Sequence, residues 1–340
     1  MRALYYPSWD TLEMREVPAP TAQPGEVVVK VRAVGICGSE LHAFLVHAKR
    51  RTPPLIMGHE FSGEVAAVGP GVEGVQVGQA TGVNSGFFCG RCDECVAGFP
   101  QRCPHGQIFG TTGRAGAFAE YCAVPATSLL PLPEGVSMVQ ASLAEPLANA
   151  IHGLSLTVRR FPETLLILGA GTIGLFALQI ARAAGALRLL VADVEDSRLA
   201  VAEKLGADVV LHSRRDDVLA AVRGMTRGRG AEVVVDAVGA AATRRLAVSA
   251  ARPGGEIVWL GLHDDASEVS GFEVVLGERK ILGSFAVTPR ELQVALGLFA
   301  AGRIALDPWV RTFPLAEGAR LFRELVSAPP RDYVKAVLVP

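Results

Sequence analysis

Between Thr164 and Ala181 the chain runs eighteen positions without a charge, and three glycines inside that run decide what it can become. Unbroken, an apolar stretch of that length reads as a membrane helix. Gly169, Gly171 and Gly174 divide it instead into a strand, Leu165 to Leu168, a tight turn, and a helix, Leu175 to Ala184. Such a βα unit buries its apolar residues only in a sheet covered by helices on both faces. Beyond Arg160 the same rhythm recurs. Strands are expected near Leu189 to Ala192, Asp208 to Leu211, Glu232 to Asp236, Ile257 to Leu260 and Ile281 to Ser284, with crossovers between them. These make a doubly wound parallel sheet of six strands.

The first third of the chain has a different rhythm. Val27, Val29 and Val31 alternate with Val28, Lys30 and Arg32, and short runs recur at Phe61 to Val68 and Phe118 to Val124 among many Gly and Pro. That is a β-rich region full of turns. From about Pro289 the pattern changes again, to a helix at Glu291 to Ala301 and a last strand at Val334 to Val339. With the parallel sheet complete, this tail is expected to return to the first domain. A chain of 340 residues suits about two domains. We place the boundaries at 1–147, 148–286 and the return 287–340. Half the residues are hydrophobic, a fifth are charged and the formal net charge is −1, which describes a soluble globular protein without the basic excess that nucleic acid requires.

The Gly-rich turn is itself a candidate site. Gly169 permits the turn, Gly171 lets backbone approach a pyrophosphate, and Gly174 lets strand and helix pack closely, while Thr172 and Ile173 open the helix whose N–H groups face that anion. Asp193 follows Gly174 by nineteen positions, at the end of the second strand, where a carboxylate accepts ribose hydroxyls and repels a 2′-phosphate. NAD is therefore expected over NADP. Arg198, nearby, could serve a phosphate or lie along the adenine.

Four cysteines, Cys89, Cys92, Cys95 and Cys103, fall within fifteen positions of a loop-like run inside 84–105. Two short pairs of soft ligands close a tetrahedral zinc site with no open position, so this ion is expected to hold structure. The opening residues, Met1, Arg2, Tyr5, Tyr6 and then Asp10, do not read as a secretory leader. A disulfide cluster is thus disfavoured and a reducing cytoplasm expected. A second metal site is signalled upstream. Cys37 and His59 are a thiolate and an imidazole, and either Glu60 or Glu145 could complete a mixed set, directly or through water. Ser39 and His42 stand near enough to Cys37 in sequence to carry a proton away.

With these motifs quoted, the chain resembles the zinc-containing medium-chain alcohol dehydrogenases, in the polyol branch that includes sorbitol and threonine dehydrogenases. The resemblance spans essentially all 340 positions, through Gly35 to His42, the Gly58, His59, Glu60 triplet, the four-cysteine lobe, Glu145 with Pro146 and Leu147, the nucleotide turn, and the strand Lys335 to Val339. It implies an α/β plus β fold class: a GroES-like β-rich catalytic domain interrupted by a Rossmann domain. It implies two zinc ions per chain, one catalytic at Cys37, His59 and a glutamate, and a hydride transfer between a secondary alcohol and NAD. A substrate proton would leave through Ser39, the ribose of the cofactor and His42, and the nicotinamide would sit in an interdomain cleft. Glu145, where the ethanol-type branch has cysteine, points toward polyols or amino alcohols, and Lys335 stands where the family places a cation near Glu60. The family usually has Asp where this chain has Glu40, a longer side chain in the position that braces His59. Homodimers or homotetramers are implied, and an exposed edge strand at Ile281 to Ser284 would suit such pairing. The alternatives are an enzyme for simple alcohols or one using NADP, and a nucleotide-binding relative without activity. Cys122 reads as a core thiol, Lys49, Arg50 and Arg51 as a solvated basic loop, and Phe44 and Phe109 as residues of a substrate pocket.

Overall fold

The structure, a computed structural model, describes residues 1–158, 162–328 and 330–340; Arg160, where the sequence rhythm changes, lies outside them. Packing divides the chain into two units, one of Met1–Glu145, Val287–Ala301 and Trp309–Pro340, the other of Pro146–Ala286 and Gly302–Pro308.

In the first unit the strand Glu26–Gly35 is the axis of a seven-stranded sheet. Val27, Val29 and Val31 are buried on one face, as their alternation predicts, and Val28 is buried on the other. Glu60–Val68, Tyr121–Pro125 and Lys335–Val339 all pair with this axis antiparallel, and Val310–Pro314 adds to Lys335–Val339 in parallel. The run read as a strand from Phe118 becomes one only at Tyr121, because Phe118 N–H bonds Met57 O (2.9 Å), Phe118 O accepts from Leu4 N–H (2.7 Å), and its ring is fully buried. One point of register positions everything that follows. Gly35 stands opposite Glu60 on one side and Val337 on the other, so the Cys37 turn, the His59 turn and Lys335 converge at one end of three neighbouring strands.

In the second unit six strands lie in the order Val209–His212, Arg188–Asp193, Thr164–Leu168, Ala231–Asp236, Ala251–Trp259, Lys280–Gly283, every pair parallel. This is the doubly wound sheet expected from the sequence. Its winding reverses at Thr164–Leu168, whose five residues are all buried, and the reversal leaves a crevice at the strands' carboxyl ends. The charge-free run is thus strand Thr164–Leu168 and helix Thr172–Ala183, and no described helix is long and apolar enough to cross a membrane. Gly302–Pro308 groups with this unit rather than the first. Ala305 exchanges two hydrogen bonds with the Gln179 side chain (2.7 and 3.2 Å), and Ile304 is buried.

Candidate active site

Cys37 is the N-cap of helix Gly38–Leu45, and Glu40, at the third helical position, reaches back to its N–H (3.0 Å) as in a capping box. The same carboxylate does more. Its other oxygen accepts from Gly58 N–H (2.9 Å) and His59 Nδ1 (2.8 Å), with both Glu40 and His59 buried. Glu40 therefore makes the brace its position implies, despite its extra methylene. Burial alone would raise its pKa, but His59, Arg51 and the Cys37 N–H outweigh that and hold it below the ordinary value. Burial would likewise depress His59, yet Glu40 and the Cys37 sulfur keep the metal-free imidazole well above its usual pKa. With Nδ1–H donating to Glu40, Nε2 is left for a ligand.

Cys37, His59 and Glu60 present ligand atoms within 4.8 Å of one another. Sulfur, imidazole nitrogen and carboxylate oxygen are the donor set zinc takes in open sites, so the residues fit the ion. Glu145, in the first turn of helix Ala144–Ser155, lies outside that group, and its Oε1 accepts from Ser85 Oγ (3.4 Å). Glu60 has a buried counter-ion. Lys335 Nζ lies against Glu60 Oε2 as an ion pair and donates to Ile36 O (2.8 Å). This pair explains Gly35, because a Cβ there would stand 2.1 Å from Glu60 Oε2 and 2.9 Å from Lys335 Cε. Ser39 Oγ donates to Cys37 Sγ (3.2 Å), and His42 lies one turn further along the same helix.

Arg51 is where the basic loop departs from expectation. Lys49 and Arg50 are exposed, but Arg51 turns inward and is only 7 % exposed, with both terminal nitrogens on Ser39. A cation in a Lys-Arg-Arg run carries no signal of burial, so sequence could not single it out. Phe44 and Phe109 are core residues rather than pocket residues. Phe44 packs against Tyr6 and Phe322, and Phe109 against Phe61 and Phe87.

Cys89, Cys92, Cys95 and Cys103 form the other group of potential ligands among the described residues, with sulfurs mutually within 4.8 Å. Cys92 Sγ and Cys103 Sγ are 3.8 Å apart, too far for a disulfide and about the edge of a tetrahedron with ~2.3 Å metal–sulfur bonds. N–H groups of Arg91 and Cys92 draw Cys89 down to about 6, while burial and the Cys92 thiol push Cys95 up to about 12. Four thiols this close do not all ionise without a cation between them, and zinc meets that need.

The Gly-rich turn has a backbone that its glycines make possible. Gly169 adopts φ +98°, and a Cβ on Gly174 would fall 1.8 Å from Gly169 O, whereas one on Gly171 would meet only open space. The helix's first internal bond is Leu175 N–H to Gly171 O (2.9 Å), which leaves the N–H groups of Thr172, Ile173 and Gly174 available to an anion. Asp193 is 7 % exposed and accepts from the N–H groups of Ala170 (2.6 Å), Val194 (2.7 Å) and Glu195 (3.0 Å). Arg198 is half-buried, and its guanidinium has no side-chain partner among the described residues.

Two family models match the chain: the alcohol dehydrogenase GroES-like domain over residues 23–134 and the zinc-binding dehydrogenase over 172–301. An L-threonine 3-dehydrogenase of Pyrococcus horikoshii is 36 % identical over 87 % of this chain and 86 % of its own length. The chain is a zinc-containing medium-chain alcohol dehydrogenase of the polyol branch. A D-arabitol-phosphate dehydrogenase of Enterococcus avium shares 33 % identity with this dehydrogenase over 94 % of its chain and 92 % of the relative. Among solved structures, a zinc-binding dehydrogenase of Sinorhizobium meliloti 1021 bound to NADP superposes with a TM-score of 0.91 at 32 % identity, covering 100 % of this chain and 99 % of that one. The dehydrogenase is thus a zinc-dependent oxidoreductase that acts on alcohols with a nicotinamide cofactor.

Proposed function

We propose that this dehydrogenase oxidises a secondary alcohol of a polyol, sugar alcohol or amino alcohol with NAD, and that Cys37, His59 and Glu60 hold the catalytic zinc while Glu145 stays outside the ligand set. The observation that carries this reading is the grouping of those three ligand atoms within 4.8 Å, with Glu40 bracing the imidazole. Bound there, zinc supplies a Lewis acid that lowers the pKa of a substrate hydroxyl, and NAD supplies the hydride acceptor. The chain's own residues do the rest. Ser39 Oγ receives the hydroxyl proton as it gives up its own, which leaves through the cofactor ribose and His42 to solvent; Glu40 keeps His59 in one tautomer.

Asp193 holds the cofactor ribose. Three of about four carboxylate acceptor sites are filled by backbone, so the charge is fixed in place and one acceptor remains for a hydroxyl. A fixed negative charge disfavours a 2′-phosphate; Arg198 is the opposing influence, and the NADP-bound relative makes the comparison necessary. Cys89, Cys92, Cys95 and Cys103 hold a structural zinc, and thiols that must stay reduced suit the cytoplasm. Met1–Glu145 with Val287–Ala301 and Trp309–Pro340 form the catalytic domain, and Pro146–Ala286 with Gly302–Pro308 the cofactor domain. A homo-oligomer is supported by edge strand Lys280–Gly283 and the exposed Phe272, Val275 and Leu276 nearby in sequence.

The test is zinc content and turnover together. Wild type should hold two zinc per chain; Cys37→Ser and Glu60→Gln should each hold one and lose NAD reduction, and Glu145→Gln should hold two. Loss of zinc from Glu145→Gln but not Glu60→Gln would reverse the ligand assignment. A panel of L-threonine, arabitol phosphate, sorbitol, 2,3-diols and cyclitols, compared by kcat/KM with NAD and NADP, identifies the alcohol.

A further inference from the structure

Arg51 is a buried cation that the mechanism leaves unused. Arg51 sits in the short 3-10 turn Lys49–Arg51, which is fastened to the segment around Thr112: Thr112 N–H bonds Arg50 O (2.9 Å), Thr112 Oγ1 bonds Lys49 O (3.1 Å), and Thr52 N–H bonds Thr112 Oγ1 (2.9 Å). From this platform the guanidinium enters the protein interior, where a charge is costly unless its donors are used. Nη1 donates to Ser39 O and Nη2 to Ser39 Oγ, each at 3.2 Å, while Nε is buried with no hydrogen-bond partner among the described residues. The side chain thus gives up one donor to keep both ends of its fork on a single serine.

That grip restricts what Ser39 can do. A serine hydroxyl has one proton and two lone pairs. With Arg51 donating to Oγ, the proton cannot point at Arg51, and it lies on Cys37 Sγ at 3.2 Å. Without Arg51 the hydroxyl loses the donor that bars its proton from that direction. We propose that Arg51 is a positioning residue of the proton relay, holding Ser39 by its carbonyl and hydroxyl oxygens so that its proton lies on the Cys37 sulfur and its remaining lone pair is open to the proton of a substrate hydroxyl. This inference rests on the assignment of Ser39 to the relay. In this role Arg51 acts through Ser39, which takes both ends of its fork. Its charge has a separate use, since it also stabilises the Glu40 carboxylate.

Arg51→Lys separates the two uses, because lysine keeps the charge but lacks the planar fork. The experiment is a double-mutant cycle of Arg51→Lys and Ser39→Ala in the zinc-loaded full chain, read in kcat, KM, zinc per chain and melting temperature. Ser39→Ala should lower kcat about tenfold or more. Arg51→Lys should lower kcat several-fold with KM within about twofold and zinc unchanged, and on the Ser39→Ala background it should lower kcat no further, with melting losses likewise less than additive. Wild-type turnover in Arg51→Lys, or independent losses that multiply in the double variant, would overturn the role of Arg51 and leave the relay standing. Wild-type turnover in Ser39→Ala would remove the relay itself, and Arg51's role with it.

Discussion

Replacing Lys335 with Met tests whether Glu60 is shared between a lysine and a metal. The ammonium and carboxylate are only 2 % and 1 % exposed, and Lys335 also donates to Ile36 O. Removing one member of a buried pair leaves the other charge uncompensated and costs about 3–5 kcal/mol. For a unit of this size each kcal/mol is worth about 2–4 °C, so the metal-free variant should melt roughly 6–20 °C lower. Zinc changes the outcome, because a metal ion at Glu60 supplies the positive charge that methionine cannot. The deficit should therefore shrink in zinc-loaded protein, and zinc should raise the variant's melting temperature by more than it raises the wild type's. The pair also has a sign with pH. Burial would lower the Lys335 pKa, but Glu60 outweighs it and raises the folded-state value above 10.5. Its stabilisation is thus fully present below that unfolded value and is lost as pH rises through the folded one, a dependence Lys335→Met should lack. Circular dichroism melts of chelated and zinc-loaded samples decide the matter. Melting within about 2 °C of wild type without zinc, or equal deficits with and without it, would refute the reasoning.

Three further outcomes are expected. Cys92→Ser should bind one zinc fewer per chain and melt lower while keeping the catalytic ion, and unchanged melting would argue against a structural metal in the cysteine lobe. Asp193→Ser should raise kcat/KM with NADP relative to NAD, and should also lose about 2 kcal/mol or more of stability in urea, because three backbone donors lose their acceptor; an unaltered cofactor ratio would remove Asp193 from the ribose. Cys122 is 3 % exposed and burial pushes its thiol up to about 12, whereas the other five cysteines are half-buried. A thiol reagent at pH 8 should accordingly count five accessible cysteines in folded, chelated protein and a sixth on unfolding; six rapid reactions in the folded state would contradict the packing.

Local geometry was legible from the residues alone. The turn at Gly169 to Gly174, the carboxylate at Asp193 and the lobe from Cys89 to Cys103 each involve residues close in sequence, or one βα unit apart, where spacing and geometry are nearly the same thing. The parallel sheet was equally legible, because apolar strands alternating with helices have few other ways to bury both faces. What spacing could not supply was register between distant strands. Gly35 stands opposite both Glu60 and Val337, which brings Lys335 to a carbonyl 299 positions away and pairs it with Glu60. Glu60 and Glu145 are equally acidic as letters; the sheet end that holds Cys37 and His59 puts one of them in the ligand group and the other on Ser85. The inward turn of Arg51, the core positions of Phe44 and Phe109, and the grouping of Gly302–Pro308 with the second unit have the same origin. Which residues could carry the chemistry was written in their types and neighbours, and which of them meet was decided by long-range pairing that no local pattern encodes.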